Sequence, residues 1–376
     1  MKIYCQQKNL IKGLDTIKNA IPRSATLPIL KNVCLVARGE ELKLMATDLE
    51  TFIISTLDAQ VEEGGSITVP ARILAGLVKS LPDAPIEMSR ANKKSLSVKC
   101  GGGETCIDGE DALDFPPVPE VKIDAAVAIE AQILKEAVTH VAFATATEEI
   151  REVLTGVYCE FEGDQVVFTA ADGFRLATYT APLPVPVEKR GMLIPARVLL
   201  VVKCLIAKRQ ELVGITMDQD RACFYLNGTQ VITRLIQGNF PNYRQVIPKA
   251  DEYTTRVTIN TKNMLQALKT CAVFAGEEAY IIRLYITPGN DQTTGELTVS
   301  AQAEEAGSNS SKVDALVEGK ENKIAFDVRK LCAVLSMLQQ SQFSLEITTP
   351  SSPGVIRPVG MDNYIYALMP MFVEWK

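Results

Sequence analysis

Few side chains in this sequence could perform acid–base or nucleophilic chemistry. His140 is the only histidine, and it lies beside apolar residues in the segment AVTHVAF. A catalytic histidine requires an oriented partner, whereas a structural histidine requires only a hydrogen bond, so the structural interpretation is favoured. The carboxylate pairs Glu148-Glu149 and Glu304-Glu305 lie in polar, loop-like stretches, where solvation is the simpler interpretation.

Sequence motifs for phosphate, metal and covalent chemistry are absent. The triple glycine at 101–103 lacks the lysine and the following serine or threonine of a phosphate-binding loop, and it predicts a hairpin turn between two short strands. The nine cysteines are scattered without a CxxC pair, which is typical of buried free thiols in a reducing compartment. We therefore expect no catalytic residue, no metal site and no cofactor.

Asp48 and Asp172 are the repeated acids that merit comparison. Each follows a predicted strand and precedes a turn, where an aspartate commonly accepts hydrogen bonds from nearby backbone N–H groups. A residue that a repeat duplicates is weak evidence for a single active site. It is better evidence for the repeat itself.

The repeat extends through the whole chain. Segment GEELKLMATD (39–48) aligns with GDQVVFTAAD (163–172) at an offset of 124 residues, with the apolar alternation of a half-buried strand. In the third copy, LTVSAQA (297–303) fits the same register, but Ala303 replaces the aspartate. The motifs Asp114-Phe115-Pro116 and Asn239-Phe240-Pro241 close the first two copies.

Two helices are predicted in each copy of the repeat. The first is amphipathic, with apolar residues near i, i+3, i+4 and i+7, and is predicted at 9–21, 131–144 and 263–275. The second begins after a strand, with proline or aspartate at its start, and lies within 68–82, 193–207 and 325–339. One arginine recurs near the start of each second helix, at Arg72, Arg197 and Arg329.

The sequence therefore predicts an α+β protein of three tandem modules, each with the order helix, strands, helix, strands. Boundaries are expected near 122 and 250, which gives modules at 1–122, 123–250 and 251–376. The run APLPVPVEK (181–189) predicts an extended surface connection. Predicted turns include Arg38-Gly39, Glu162-Gly163-Asp164 and Pro288-Gly289-Asn290.

Formal charge is distributed unevenly along the chain. The six predicted helix windows carry a net charge of +10, whereas the whole chain carries −6, so the other segments carry −16. A basic helix layer on an acidic body suits a polyanion held on one face, because lysine and arginine contact phosphates without reading sequence. No helix-turn-helix, zinc finger or RNP pattern is present to read bases, so any nucleic-acid binding is expected to be non-specific.

Signals for a membrane or for secretion are not found. The sequence has no run of 18 apolar residues, and its N-terminal segment MKIYCQQKNL is polar and patterned. A cytoplasmic protein without a membrane partner is the expectation.

Several short motifs together resemble one known family. They are TLPIL (26–30), ATDLE (46–50), VPAR (69–72), DFP (114–116), ADGFRLA (171–177), IPAR (194–197), NFPNYRQVIP (239–248) and ALMPM (367–371). Along essentially the whole chain they resemble the bacterial DNA polymerase III β subunits, the sliding clamp family. The resemblance implies a head-to-tail homodimer whose six modules close a ring, with helices lining the hole and sheets on the outside.

The resemblance also implies a function in DNA replication. Such a ring encircles duplex DNA without sequence specificity and tethers the replicative DNA polymerase, which confers processivity because the tethered polymerase rebinds at high effective concentration. The clamp loader and other clamp-motif proteins of replication and repair are further implied partners. This agrees with the charge distribution, because the basic helices would face the DNA phosphates.

The family's partner pocket lies between the second and third modules and takes a short peptide with apolar anchors. Apolar walls, flexible methionines and one arginine suit that task. Phe174 and Gln245 stand where some relatives have a histidine and an arginine, and Phe372 stands where a basic residue is usual, so a more apolar and less basic rim is expected. The matching positions are Leu154, Ala171, Gly173, Phe174, Arg175, Leu176, Pro241, Val246, Ala367, Leu368, Met369, Pro370 and Met371.

Two further residue sets follow from the resemblance. For ring closure, Thr105 and Ile107 of one copy are expected to face Val273 and Phe274 of the other. For DNA, the expected contacts are Arg23, Arg72, Lys79, Arg197 and Lys203.

Two alternatives remain open on sequence alone. A repeated-module scaffold could bind protein peptides without encircling DNA, and its DNA retention would not depend on the helix lysines. An enzyme acting on nucleic acid is the third possibility, and it would require turnover that depends on His140.

Overall fold

The computed structural model describes residues 1–92, 94–121, 126–207, 211–275, 280–289, 294–303 and 307–375. The predicted boundary at 122/123 and the pair Glu304-Glu305 lie outside these ranges. In the part of the chain that is described, no helix has both the length and the apolar character needed to cross a bilayer.

Six α-helices lie in the described ranges, two in each predicted module. The first helix of each pair occupies the predicted amphipathic segment, and the second follows a strand directly, as the sequence predicts. They are α1 (Gln7–Ile17), α2 (Ala71–Ser80), α3 (Ala131–Val141), α4 (Ala196–Leu205), α5 (Thr261–Ala275) and α6 (Val328–Met337).

Local sequence explains where these helices pack and begin. In α1, Leu10, Leu14 and Ile17 are buried at the spacing i, i+4, i+7, so one stripe of the helix faces the core. Asp327 is the N-cap of α6, and its side chain accepts the N–H of Arg329, as predicted. Pro70 lies one residue earlier than expected, at the N-cap of α2.

Most of the described strands have four to nine residues, and three strands of the middle and third modules are longer. Those of the first module are β1 (Lys2–Gln6), β2 (Asn32–Arg38), β3 (Glu41–Thr47), β4 (Thr51–Asp58), β5 (Gln60–Glu63), β6 (Gly65–Pro70), β7 (Pro85–Asn92), β8 (Ser95–Cys100) and β9 (Gly103–Asp108). The middle module has β10 (Val127–Glu130), β11 (Gly156–Ala171), β12 (Arg175–Pro195), β13 (Leu212–Met217), β14 (Arg221–Leu226) and β15 (Thr229–Arg234). The third has β16 (Thr255–Asn260), β17 (Ile281–Pro288), β18 (Gly295–Ala303), β19 (Gly307–Gly319), β20 (Asn322–Asp327), β21 (Gln342–Ile347), β22 (Gly354–Pro358) and β23 (Tyr364–Leu368).

One compact unit comprises Met1–Gln132 and Arg197–Leu235. It contains a five-stranded sheet in the order β5-β1-β7-β8-β9 and an eight-stranded sheet in the order β10-β13-β14-β15-β4-β3-β2-β6. The larger sheet crosses from the middle module to the first at the antiparallel pair β15·β4, where Gln230 aligns with Ile54. We call this strand pair the first joint.

A second compact unit comprises Ile133–Ala196 and Ile236–Lys376. Its ten-stranded sheet has the order β11-β12-β23-β22-β21-β16-β19-β18-β17-β20. This sheet crosses from the middle module to the third at the antiparallel pair β12·β23, where Leu176 aligns with Ala367. We call this strand pair the second joint.

Two predicted connections prove to be parts of long strands. Gly163, with φ of 63°, lies inside β11 at a break in register rather than in a turn between separate strands. Residues 181–189 lie inside β12, and within this run Ala181, Pro182 and Val187 align with residues of β11. The register jumps from Pro182 to Val187 at this break, so the intervening prolines have no ladder hydrogen bond to lose.

The predicted glycine hairpin is confirmed. β8 and β9 pair directly, from Ser95 with Asp108 to Cys100 with Gly103. Gly101 and Gly102, with φ of 56° and 85°, form the turn, and both angles favour glycine. This segment is therefore a structural turn.

Candidate functional site

Asp48 and Asp172 form the same turn, one at each joint. Asp48 lies between β3 and β4, and its Oδ1 accepts the N–H groups two and three residues later at 3.1 and 2.7 Å. Asp172 lies between β11 and β12, and its Oδ1 accepts the equivalent two groups at 2.9 and 3.0 Å. Each carboxylate thus fixes the start of a joint strand, the role that the sequence predicts.

The second carboxylate oxygen of each aspartate faces a cation from the following module. Oδ2 of Asp48 lies 3.3 Å from Nη1 of Arg197 on α4, and Oδ2 of Asp172 lies 3.1 Å from Nζ of Lys330 on α6. The side chains of Asp172 and Lys330 are 11% and 24% exposed, against 21% and 62% for Asp48 and Arg197. The contact at the second joint is therefore better shielded from water.

Arg175 belongs to this contact network rather than standing unpaired at the pocket rim. Its Nε donates to Oδ2 of Asp172 at 2.9 Å, and its guanidinium lies 5.3 Å from the centroid of the Phe143 ring. Phe143 in turn stacks on Tyr366 at 5.8 Å. Burial, partly offset by the nearby Arg175 charge, raises the pKa of the Tyr366 hydroxyl above its ordinary range, so the tyrosine stays neutral at physiological pH.

The expected partner-pocket residues divide into a buried floor and an exposed lip. The main-chain N–H of Met369 donates to the carbonyl oxygen of Phe174 at 2.8 Å, which ties the segment after β23 to the Asp172 turn. Leu154, Leu176, Ala367, Leu368 and Pro370 are buried, whereas Ala171, Arg175 and Met371 are half-buried and Gly173 and Pro241 are exposed. The apolar lip consists of Phe174, Val246 and Met369, which are 61%, 40% and 38% exposed. We call Phe174, Val246, Met369 and this floor the partner surface.

The structure adds floor residues that the sequence did not identify. Tyr243 and Val355 are buried in one apolar cluster with Leu176 and Ala367, and Phe240 packs against that cluster. The repeated Phe-Pro motif was an available signal for Phe240. Nothing in the sequence separates Val355, on β22, from an ordinary core residue.

The expected DNA contacts lie in the first compact unit, and two of them are paired within it. Arg23 and Arg72 are exposed and Lys203 is half-buried. Lys79 contacts Oδ1 of Asp15 at 3.1 Å, and Arg197 contacts Asp48 as described above. Exposed ion pairs of this kind contribute little stability, so both cations can exchange their partner for a phosphate.

The side chains of the four expected dimer residues differ in their exposure to solvent. Thr105 is exposed on β9, and Val273 is 75% exposed near the end of α5, where Phe274 is half-buried. Ile107 differs from the other three expected residues, because its side chain is only 4% exposed and lies in the core of its own module. Its β9 position aligns it with Leu96 of β8.

His140 is enclosed by aromatic rings. It is 9% exposed, and its Nδ1 lies 2.8 Å from the carbonyl oxygen of Glu136. Its ring stacks with Tyr179 at 5.5 Å and meets Tyr364 edge-on at 4.9 Å. These contacts match the structural role favoured from sequence.

Two sheets continue from one module into the next, the helix pairs of the first and third modules are basic, and an apolar lip lies at the second joint. These features are typical of a clamp-type protein. Three family models match the chain: the DNA polymerase III beta subunit N-terminal domain at 1–119, the central domain at 128–242 and the C-terminal domain at 244–372. The chain belongs to the DNA polymerase III beta subunit family, and its function is that of a sliding clamp.

Individual relatives agree over their full length. The chain is 31% identical to the beta sliding clamp of Synechococcus elongatus, with 99% of both chains covered. It matches the sliding clamp structure of Bacillus subtilis at 26% identity with a TM-score of 0.94, covering 100% of both chains. It also matches the Pseudomonas aeruginosa sliding clamp bound to griselimycin at 28% identity, with a TM-score of 0.93 and coverage of 99% and 100%.

Proposed function

We propose that two copies of this chain close head-to-tail into a six-module ring around duplex DNA, and that the ring tethers the replicative polymerase. One observation carries this proposal: the same joint occurs twice. At both joints the last strand of a module pairs with the strand that follows the Asp turn of the preceding module. A third joint of this kind needs a second copy of the chain.

The strands for that third joint have open edges among the described residues. β9, the last strand of the first module, is the terminal strand of its sheet. In β19, residues 307–313 pair with β18 on one side, while β16 pairs on the other side only from Ala315 onward. Open edges readily pair with another chain. We therefore expect β9 of one copy to pair with β19 of the next copy, as β15 pairs with β4 at the first joint.

Side chains near these edges support the same contact. α5 packs on β18 and β19, and Val273 near its end is exposed. We expect Val273 and Phe274 to contact Thr105 and the β9 backbone of the other copy. Ile107 would contribute through its main chain, since its side chain is already buried.

The helices supply the surface for DNA. Within their observed bounds they contain eleven lysines and arginines and two acids, a net charge of +9 in a chain that carries −6 overall. Cations on such a layer bind phosphates by releasing counterions, which gives non-specific and salt-sensitive contact. A closed ring does not need tight contact, because the topology retains the DNA.

Arg72 is the best placed of the three equivalent arginines for a phosphate. Arg197 pairs with Asp48, and Arg329 pairs with its own helix cap Asp327 at 2.8 Å. Arg72 is exposed, and within the described ranges no acid forms an ion pair with it. In the third module, Ala303 stands at the position that Asp48 and Asp172 occupy in the first two modules.

The partner surface would hold the polymerase, the clamp loader and other clamp-motif proteins in turn, and the chain itself would perform no chemistry. Its exposed apolar side chains Phe174, Val246 and Met369 suit peptide anchors, and methionine adapts to several of them. Griselimycin, bound by the Pseudomonas aeruginosa clamp, is a suitable probe of this surface.

Sedimentation analysis of the purified chain tests the ring. We expect twice the mass of one chain at micromolar concentration, and a shift to monomer in Val273→Asp, because a charge buried at an interface is strongly unfavourable. Val185→Asp is the matched control, since Val185 is also an exposed valine, at 66%. A wild-type chain that sediments as a monomer at every concentration would overturn the ring.

A further inference from the structure

We propose that Lys330 is a positioning residue for the partner surface. From α6 in the third module, its ammonium group pairs with Asp172 in the turn of the middle module and lies over the ring of Phe174. These two contacts, which we call the latch, cross the second joint and fix the orientation of Phe174 in the lip. This inference rests on the proposed partner surface and adds the residue that preorganises it.

The Asp172 carboxylate is the centre of the latch. Its Oδ1 accepts hydrogen bonds from two main-chain N–H groups of the turn. Its Oδ2 accepts hydrogen bonds from Nε of Arg175 at 2.9 Å and from Nζ of Lys330 at 3.1 Å. Arg175 belongs to the same turn as Asp172, so Lys330 is the donor that joins the two modules. Because the carboxylate is 11% exposed, water cannot fully replace a lost donor.

Lys330 is itself held at both ends. Its main-chain carbonyl accepts the hydroxyl of Tyr366 on β23 at 3.2 Å, and its Nζ lies 5.3 Å from the centroid of the Phe174 ring. An ammonium within about 6 Å of a ring centroid is attracted to the ring face. Phe174 is 61% exposed, so this contact restrains a side chain that solvent would otherwise leave mobile. An apolar side chain of a partner then contacts a Phe174 ring whose orientation is already fixed.

The first joint provides an internal comparison. It has the same carboxylate–cation contact between Asp48 and Arg197, but Glu50 stands at the position equivalent to Phe174. Both cations therefore tie a module to the preceding Asp turn. Only at the second joint does the cation also cover an aromatic side chain, and that joint is where the partner surface lies.

Griselimycin binding measured by calorimetry tests the proposal on the full chain. We expect Lys330→Met to weaken binding about five-fold, the range of one cation–π contact and one partly shielded ion pair. Lys330→Arg should restore affinity to within about two-fold of wild type, because arginine can still reach the carboxylate. Lys189→Met is the matched control, since Lys189 forms an exposed ion pair with Glu162 at 2.8 Å.

Two further measurements separate positioning from general stability. In a Phe174→Leu background, Lys330→Met should have little remaining effect on affinity. Hydrogen exchange at the Phe174 amide, which donates to Asp172, should accelerate in Lys330→Met and in Asp172→Asn. Asp172→Asn keeps the side-chain shape and replaces Lys330→Met if that variant does not fold.

The outcomes distinguish this inference from the one it rests on. No griselimycin binding by the wild-type chain would contradict the partner surface itself. Wild-type binding with an undiminished affinity in Lys330→Met would overturn the latch. An equal loss with and without Phe174, at unchanged exchange of its amide, would overturn it as well.

Discussion

Leu176 on β12 aligns with Ala367 on β23 in an antiparallel pair, so the floor of the partner surface is formed by the same backbone contact that joins the middle and third modules. Both side chains are nearly fully buried. We therefore expect a substitution at this strand pair to change both the stability of the second compact unit and the binding of a partner peptide.

Neutralising Arg72 should weaken DNA association more than neutralising Arg197. Arg197 already has Asp48 as a partner, whereas Arg72 has no ion-pair partner among the described residues. We expect Arg72→Ala to lower the slope of log affinity against log salt by about one, as one lost phosphate contact predicts. Arg197→Ala should lower it by less. Fluorescence anisotropy with short duplex DNA measures both, and equal slopes for the two variants would contradict the ranking.

The helix cap Asp327 should make stability depend on pH. Burial alone would raise the pKa of this carboxyl, but hydrogen bonds from the side chain and backbone of Arg329 outweigh it, and the pKa is lowered. The carboxylate therefore stabilises the fold above the unfolded-state pKa of about 3.9, and this stabilisation is lost as the pH falls through the lower folded value.

Asp327→Ala is expected to lower the free energy of unfolding by about 1 kcal/mol at pH 7. The difference from wild type should shrink below pH 4, because the wild-type carboxyl then becomes protonated. Urea unfolding at pH 7 and pH 3 measures both values. A difference that is the same at both pH values would rule out the charged cap as its source.

Cysteine labelling should report the dimer contact. Cys106 on β9 and Cys204 on α4 are exposed, while burial raises the pKa of Cys34 to about 12 and that of Cys223 to about 11. A maleimide reagent should therefore modify Cys106 and Cys204 first.

Raising the protein concentration distinguishes these two thiols. Ring closure through β9 should protect Cys106 but leave Cys204 reactive, so Cys204 is the built-in control. Mass spectrometry of peptides after brief labelling gives both rates. Concentration-independent labelling of Cys106, in a chain shown to dimerise, would place the dimer contact elsewhere.

Trp375 in the C-terminal segment packs on side chains of β17 and β20. Trp375, the only tryptophan, meets Tyr285 edge-on at 5.5 Å, and Nζ of Lys323 lies 5.0 Å from its ring centroid. Phe174 and Met369 remain exposed with this segment in place. Tyr285→Ala should shift tryptophan emission to longer wavelength and increase acrylamide quenching. Deleting residues 373–376 should leave griselimycin affinity within about two-fold, and a larger change would show that the segment takes part in binding.

Sequence patterns predicted the helices because apolar spacing and helix-start residues are local features. Asp48, Asp172 and Asp327 behave as their positions indicate, since turn and cap hydrogen bonds join neighbours in the chain. The long hairpin of β11 and β12 was missed because Gly163 and the prolines nearby usually end strands.

The latch between Asp172 and Lys330 could not be predicted from local sequence. These residues are 158 positions apart, and only the pairing of β12 with β23 brings them together. Val355 and the burial of Ile107 were missed for a related reason, because an apolar residue in a strand does not reveal which neighbour it faces. Tertiary pairing decides such contacts.

Retention on circular and on linear DNA distinguishes encirclement from ordinary binding. Labelled protein is loaded by the clamp loader onto nicked circular DNA, and its release is followed by gel filtration before and after the circle is cut at one site. We expect the protein to stay on the circle and to leave promptly once the DNA is linear, and we expect Val273→Asp to be retained on neither form. Equal release from both forms, or lasting retention on linear DNA, would contradict encirclement.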